Sequence, residues 1–216
     1  MKDRQSPPPE SADGRTFAAD PIREMNHRVA NSLTLVSVLL RRSERGVTEP
    51  AAIAALRAAA ARVDGVSRLH RHLYALSGQG SVDLTDLLPV LCRDIGDTLA
   101  LDVRLHPAVA PFPMPAQLAA DVAMILNELA INAMKHAYDW RSGTLRVSAM
   151  LEADGVVLTV RDDGPGLPDG FVPEAAGGLG MRLVLGVVER HGGTLSADTD
   201  GGAVFRIGLP ATSADR

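Results

Sequence analysis

Asn127-Glu128-Leu129-Ala130-Ile131-Asn132-Ala133-Met134-Lys135-His136-Ala137-Tyr138 is the stretch of this 216-residue chain whose reading decides the fold. Glu128, Asn132 and Lys135 fall at helical spacing and share one stripe, with His136 beside it and Leu126, Leu129 and Ala133 apolar around them. A carboxylate, a carboxamide and a cation on one stripe against apolar neighbours is unusual for a plain solvated face. The Asn132 amide oxygen is a hard donor suited to Mg2+, and the Lys135 ammonium suits phosphate oxygens. Taken alone, the stripe also fits an amphipathic helix with a polar face.

Two further segments follow. Asp162-Asp163-Gly164-Pro165-Gly166-Leu167 comes directly after a β-branched run, where glycines let the backbone turn sharply and approach a ligand. A carboxylate at such a strand end can accept from the exocyclic amine of adenine. Gly177-Gly178-Leu179-Gly180-Met181-Arg182-Leu183-Val184 runs from a glycine-rich loop into a helix, and backbone N–H groups at a helix start form an anion cradle. It is not a Walker loop, because no Lys-Ser/Thr follows.

Around these segments helices and strands alternate. Helices are predicted at 84–98, 115–138 and 180–191, with a short strand at 101–106. Strands at 145–151 and 156–161 flank the turn Ala153-Asp154-Gly155, and a last hairpin pairs 193–199 with 203–209. The pattern predicts an α/β two-layer sandwich, a sheet with helices on one face.

The amino-terminal part reads differently. Residues 1–19 form a polar tail with three consecutive prolines, Pro7 to Pro9. Ile22, Met25, Val29, Leu33, Val36 and Leu40 mark one helix, with Asp20 and Pro21 at its start and Gly46 at its end. A second helix opens at Thr48-Glu49-Pro50 and carries Ile53, Leu56, Ala60, Val63 and Leu73. An antiparallel hairpin over 20–76 has nothing to bury its apolar stripes against, so two copies are expected to form a dimeric four-helix bundle. If Ile22, Met25, Val29 and Val36 are core positions, His27 points away from the bundle. Ser77-Gly78-Gln79-Gly80-Ser81 is the predicted linker, with the second domain over 82–212.

Composition narrows the function. Aromatics at 3% leave little for base stacking, and a net charge of −4 argues against a nucleic-acid partner. The one cysteine, Cys92, excludes a disulfide framework. With no apolar run near the ~18–20 residues that cross a bilayer, no membrane insertion and a cytoplasmic location are expected.

In order and spacing, the three segments resemble the N, G1 and G2 boxes of the GHKL-type (Bergerat) ATP-binding fold shared by sensor histidine kinases, the Hsp90 chaperone, gyrase and MutL. Glu24-Met25-Asn26-His27-Arg28-Val29-Ala30-Asn31 resembles the phosphoacceptor box of the HWE-related group of bacterial histidine kinases, His-Arg-x-x-Asn. The resemblance implies that ATP phosphorylates His27 and that the phosphoryl group passes to an aspartate of a response-regulator receiver domain. It implies Mg2+ on Asn132, with Asn127 assisting, and adenine on Asp162. Gly164, Gly166, Gly178 and Gly180 match the glycines around the phosphates. Lys135 and His136 would offset phosphate charge, and Glu128 would polarise a water or the imidazole.

The chain departs from the commonest kinases in three ways. The residue after His27 is Arg28 rather than an acid, which leaves Glu24, one turn back, as a candidate base. The tryptophan motif that names the HWE group is absent, and the 167–176 lid is short. No stretch remains for a sensor domain. Input is therefore expected from a separate sensor or regulatory protein, unless the chain is part of a longer kinase. Two other readings share the architecture: a phosphotransfer relay whose second domain no longer binds ATP, and an anti-sigma serine kinase, which needs no exposed hairpin histidine.

Overall fold

The computed structural model describes residues 21–76, 81–106, 110–153 and 155–210. The expected tail at 1–19, Asp20, the break at 77–80 and the turn residue Asp154 lie outside the described residues. Helix α1 (Pro21–Glu44) and helix α2 (Pro50–Leu76) form the expected antiparallel hairpin. Ile53 N–H donates to the Glu49 carbonyl, so Pro50 takes the first helical position, where its missing N–H costs nothing.

The seam between α1 and α2 is built from small residues. Ala30, Ser37, Ala60 and Ser67 are buried, and the Ser67 hydroxyl donates to the Ala30 carbonyl at 3.0 Å while meeting Thr34 Oγ1 at 3.2 Å. Val29 and Val36, expected in the core of a two-copy bundle, are 41% and 44% exposed within one chain, on a flank that also shows Leu39. Small residues bring the two helix axes close, which turns the bulkier valines outward. A bundle with a second copy would have to cover them.

In the second domain, β1 (Ser81–Asp83) pairs antiparallel with β3 (Pro113–Pro115). Ser81, read from sequence as linker, is therefore the first residue of a strand. Three-residue strands, one of them with two prolines, carry no period-2 signal, which is why they escape a sequence reading. Helix α3 (Leu84–Leu99) is capped by Asp83, whose carboxylate accepts from Thr85 N–H at 2.8 Å. Then follow β2 (Asp102–Leu105), helix α4 (Ala116–His136), β4 (Thr144–Glu152), β5 (Gly155–Asp162), helix α5 (Leu179–Arg190), β6 (Thr194–Thr199) and β7 (Ala203–Pro210). A 3-10 turn at Pro173–Ala175 punctuates the lid.

Five strands form one sheet in the order β2-β4-β5-β7-β6, with β2 parallel to β4 and the other pairs antiparallel. Register aligns Val147, Val160 and Phe205 in one row and Ala149, Leu158 and Ile207 in the next, all buried. Arg146, Met150 and Arg206 face the solvent side. The helical layer closes the buried face through Leu118, Val122, Ile125, Leu129, Val184 and Val188. Ala58 and Ala61 of α2 belong to the same continuous core, so the hairpin packs on the second domain.

Leu158→Ala, at the centre of that face and fully buried, is expected to lower unfolding free energy by about 3 kcal/mol in urea titration, the usual cost of emptying a leucine site in a close-packed core.

Candidate functional site

Strand parity places the first site residue. Val156, Leu158, Val160 and Asp162 alternate onto the buried face of β5, so a carboxylate arrives where the strand would put a hydrophobe. Asp162 is 6% exposed and needs donors. One oxygen, Oδ1, accepts from Gly164 N–H at 2.9 Å and from Ala203 N–H at 3.0 Å, which locks the group between the turn and β7. No hydrogen bond to Oδ2 is found among the described residues. An oriented carboxylate with one oxygen spent on backbone suits the amine of a purine.

The turn itself is clasped to the end of α4. The Tyr138 hydroxyl shares its proton between the Thr144 carbonyl at 2.6 Å and Asp163 Oδ1 at 2.7 Å, and it accepts from Asp163 N–H at 3.1 Å. Thr144 N–H also donates to Asp163 Oδ1 at 3.2 Å. This bonding, led by the Tyr138 hydroxyl, holds the Asp163 carboxyl below the usual carboxylate range, while burial is the main cause that pushes the Tyr138 phenol up. Gly166 sits at φ +87°, a conformation that favours glycine, with Leu167 N–H donating to Thr199 Oγ1 at 3.0 Å.

The opposite end of the site lies where α5 begins. Gly178 precedes the helix in extended conformation, and no side chain caps it. A Cβ at Gly177 or Gly178 would meet nothing within 4 Å, so open space lies over these free N–H groups. Gly180 is buried against α4, and a Cβ there would stand 2.5 Å from Glu128 Oε2 and 3.5 Å from Asn132 Oδ1. The two α4 oxygen donors thus converge beside the uncapped helix start. This is a suitable setting for a phosphate chain and a hard cation, which needs only one or two protein oxygens besides phosphate and water.

Lys135 and His136 close the last turn of α4, both exposed. Partial burial, followed by the Lys135 charge, lowers the His136 pKa. Asn127 is half-buried and does not face the same opening: its side chain lies against Gly65 of α2. Glu24 and His27 are placed on α1 by their backbone, and their side chains lie outside the described residues.

Two residues that a sequence reading passes over complete the picture. Arg62 of α2 donates from Nε to both oxygens of Glu128, at 2.8 and 2.9 Å, and Glu128 is only 3% exposed. Asp121, seven residues before Glu128 on the same side of α4, is also buried, and it is held by Arg190 at 3.2 Å and His191 Nε2 at 2.8 Å. Since Gly180 meets Glu128 and His191 meets Asp121, α5 runs antiparallel to α4. Asp121 had a readable signal, an acid among apolar residues at helical spacing. Arg62 had none, because its partner lies 66 residues away.

Residues 24–99 match the family model described as histidine kinase, and residues 118–213 match the model of the histidine kinase-, DNA gyrase B- and HSP90-like ATPases. The chain belongs to the histidine kinase family. Sensor histidine kinase PdtaS of Mycobacterium tuberculosis is 30% identical over 189 residues, which cover 86% of this chain and 36% of that kinase. This histidine kinase chain therefore spans little more than a third of that relative's length.

The solved blue-light activated histidine kinase EL346 of Erythrobacter litoralis shares the fold with a TM-score of 0.61. It is 20% identical, and the match covers 91% of this chain and 62% of that one. The ATP binding domain of PrrB from Mycobacterium tuberculosis matches with a TM-score of 0.53 at 31% identity, over 62% of this chain and 97% of that domain. The helical hairpin followed by an α/β ATPase sandwich is thus the histidine kinase arrangement, and no helix among the described residues is long and apolar enough to cross a membrane.

Tyr138→Phe removes the clasp between the end of α4 and the turn after Asp162, and is expected to cost about 1 kcal/mol of stability at pH 7. The Asp163 pKa is depressed in the folded state, so its contribution is full above the unfolded value of about 4 and is lost as pH falls through the lower folded value. The gap in melting temperature between wild type and variant, followed by calorimetry, should therefore narrow in strong acid.

Proposed function

We propose that this chain is an ATP-dependent protein-histidine kinase that phosphorylates His27 and passes the phosphoryl group to an aspartate of a response-regulator receiver domain. One observation carries the reading. An oriented acidic acceptor, Asp162, stands at one end of the site, and an uncapped glycine-rich helix start with Glu128 and Asn132 beside it stands at the other. A nucleotide needs both: an acceptor for its base and a cradle for its phosphates.

Asp162 takes the adenine amine on Oδ2. The turn from Gly164 to Gly166 lies alongside, and Gly178 and Gly180 admit the phosphates to the N–H groups of α5. Asn132, with Glu128 near it, holds Mg2+, and Lys135 adds positive charge. Mg2+ when bound neutralises charge on the phosphate oxygens, and phosphoryl transfer otherwise rests on positioning. The neutral imidazole of His27 attacks the terminal phosphorus, an N–P bond forms as the P–O bond to ADP breaks, and Glu24 or Glu128 takes the ring proton. The exposed flank of Val29, Val36 and Leu39 supports a homodimer through a four-helix bundle. A cytoplasmic location and input from a separate sensor or regulatory protein complete the reading.

Incubation with [γ-32P]ATP and Mg2+ should give acid-labile, alkali-stable label that is absent in His27→Ala and chases onto a cognate receiver. Undiminished label in His27→Ala would sink the acceptor assignment. Phosphate accepted only from a phosphorylated receiver, with no nucleotide binding, would instead identify a relay.

Asp162→Asn keeps an oxygen for Gly164 and Ala203 but turns an amide N–H2 toward the purine amine. Calorimetry with a Mg2+–ATP analogue should show affinity reduced about 10–100-fold, the loss of one buried acceptor.

A further inference from the structure

We propose that Arg62 is a latch that parks the ATP-binding domain on the hairpin, out of reach of His27. The inference rests on the kinase reading above and concerns regulation of that same site. Arg62 is the α2 side chain that enters the phosphate end. Its Nε holds both Glu128 oxygens, and its Nη2 lies 3.1 Å from where a Gly180 Cβ would stand. One turn further along α2, Gly65 admits Asn127 so closely that a Cβ would lie 2.7 Å from its amide. Ala58 and Ala61 supply the apolar part of the same contact. The helix therefore sits on the residues to which the site assigns Mg2+ and phosphate.

The level of this contact along the hairpin is what makes it an off state. Ser67 pins the register, facing Ala30 and Thr34. Arg62 lies five residues from Ser67 toward the interhelix turn, and His27 lies about as far from that level in the other direction. At 1.5 Å per residue the two are roughly 15 Å apart along the axis. In-line attack needs the reacting atoms about 3–3.5 Å apart. A second copy related by a two-fold along the bundle axis keeps the same height, so pairing does not close the gap. The domain must leave α2 before transfer, and leaving breaks the Arg62–Glu128 pair. Glu128, 3% exposed while docked, then gains water and is released to the site.

The test compares the full-length wild type with Arg62→Ala and Gly65→Leu. The second variant keeps both members of the ion pair, improves the intrinsic helix preference of α2 and wedges Asn127 away. Amide hydrogen exchange is read over α2 residues 58–66 and α4 residues 124–131, together with ADP–Mg2+ affinity and the rate of self-labelling at saturating ATP. Both variants should exchange faster at the two faces, with no change in the β4–β5–β7 amides. Both should also bind ADP more tightly and label faster, each by about fivefold or more, the scale of a typical coupling between sites.

Unchanged exchange and affinity in both would overturn the proposal. So would slower labelling in Arg62→Ala beside faster labelling in Gly65→Leu, which would make Arg62 a phosphate ligand instead. If the wild type takes no label at all, the kinase reading fails, while exchange and ADP affinity still decide the latch.

Discussion

Three carboxylates sit where the fold's own periodicity drives them inside, and a buried negative charge must find donors. Asp162 arrives by strand alternation, Asp121 and Glu128 by the helical repeat of α4. Each is answered differently. Asp162 is met by backbone N–H groups of its own turn and of β7, Asp121 by the end of α5, and Glu128 by an arginine from the hairpin. The placement of turn, helix and hairpin around the site follows from those three pairings. Replacing any of them with an apolar pair would remove an internal constraint, and for Asp162 and Glu128 it would also remove an oxygen from the candidate site.

The pairings differ in how they can be undone. Backbone donors to Asp162 cannot withdraw without unravelling the adjoining ends of β5 and β7. The Asp121 cluster lies within one packed unit, where α5 is held by Val184, Val187 and Val188 in the core. Only the Glu128 partner comes from outside the sandwich. A buried pair whose halves belong to different bodies is stable while docked, yet both halves solvate once the bodies separate. Stability of the fold and freedom of the domain are in this way assigned to different acids.

Much of this was readable in the chain itself. The α4, β4, β5, α5 and β6–β7 segments show clean periods of 3.6 or 2, and each begins and ends within a residue or two of where glycine, proline and apolar spacing put it. The helical repeat put Glu128 and Asn132 on one stripe, and the resemblance to the GHKL boxes grouped them with Asp162 and the glycine-rich helix start. Sequence reading did not find β1 and β3, which have too few residues to show a period. Nor did it find the small-residue seam of Ala30, Ser37, Ala60 and Ser67 that joins α1 to α2. It also grouped Asn127 with Asn132, although one helical residue points to the opening and the other to α2. Arg62 escaped for the plainest reason: an arginine on an alanine-rich helix looks solvated until its distant partner is known.

The Asp121 clamp has a mechanical consequence. It pins α5 at its carboxyl end, through Arg190 and His191, while the amino end carries no side-chain cap. The helix is a lever with its fulcrum beside His191. Over its 12 residues a tilt of about 10° swings the far tip by roughly 3 Å and leaves the pinned end almost still. The 167–176 segment hangs from that tip, so a small rotation at the root moves its attachment further than any other point of the helix.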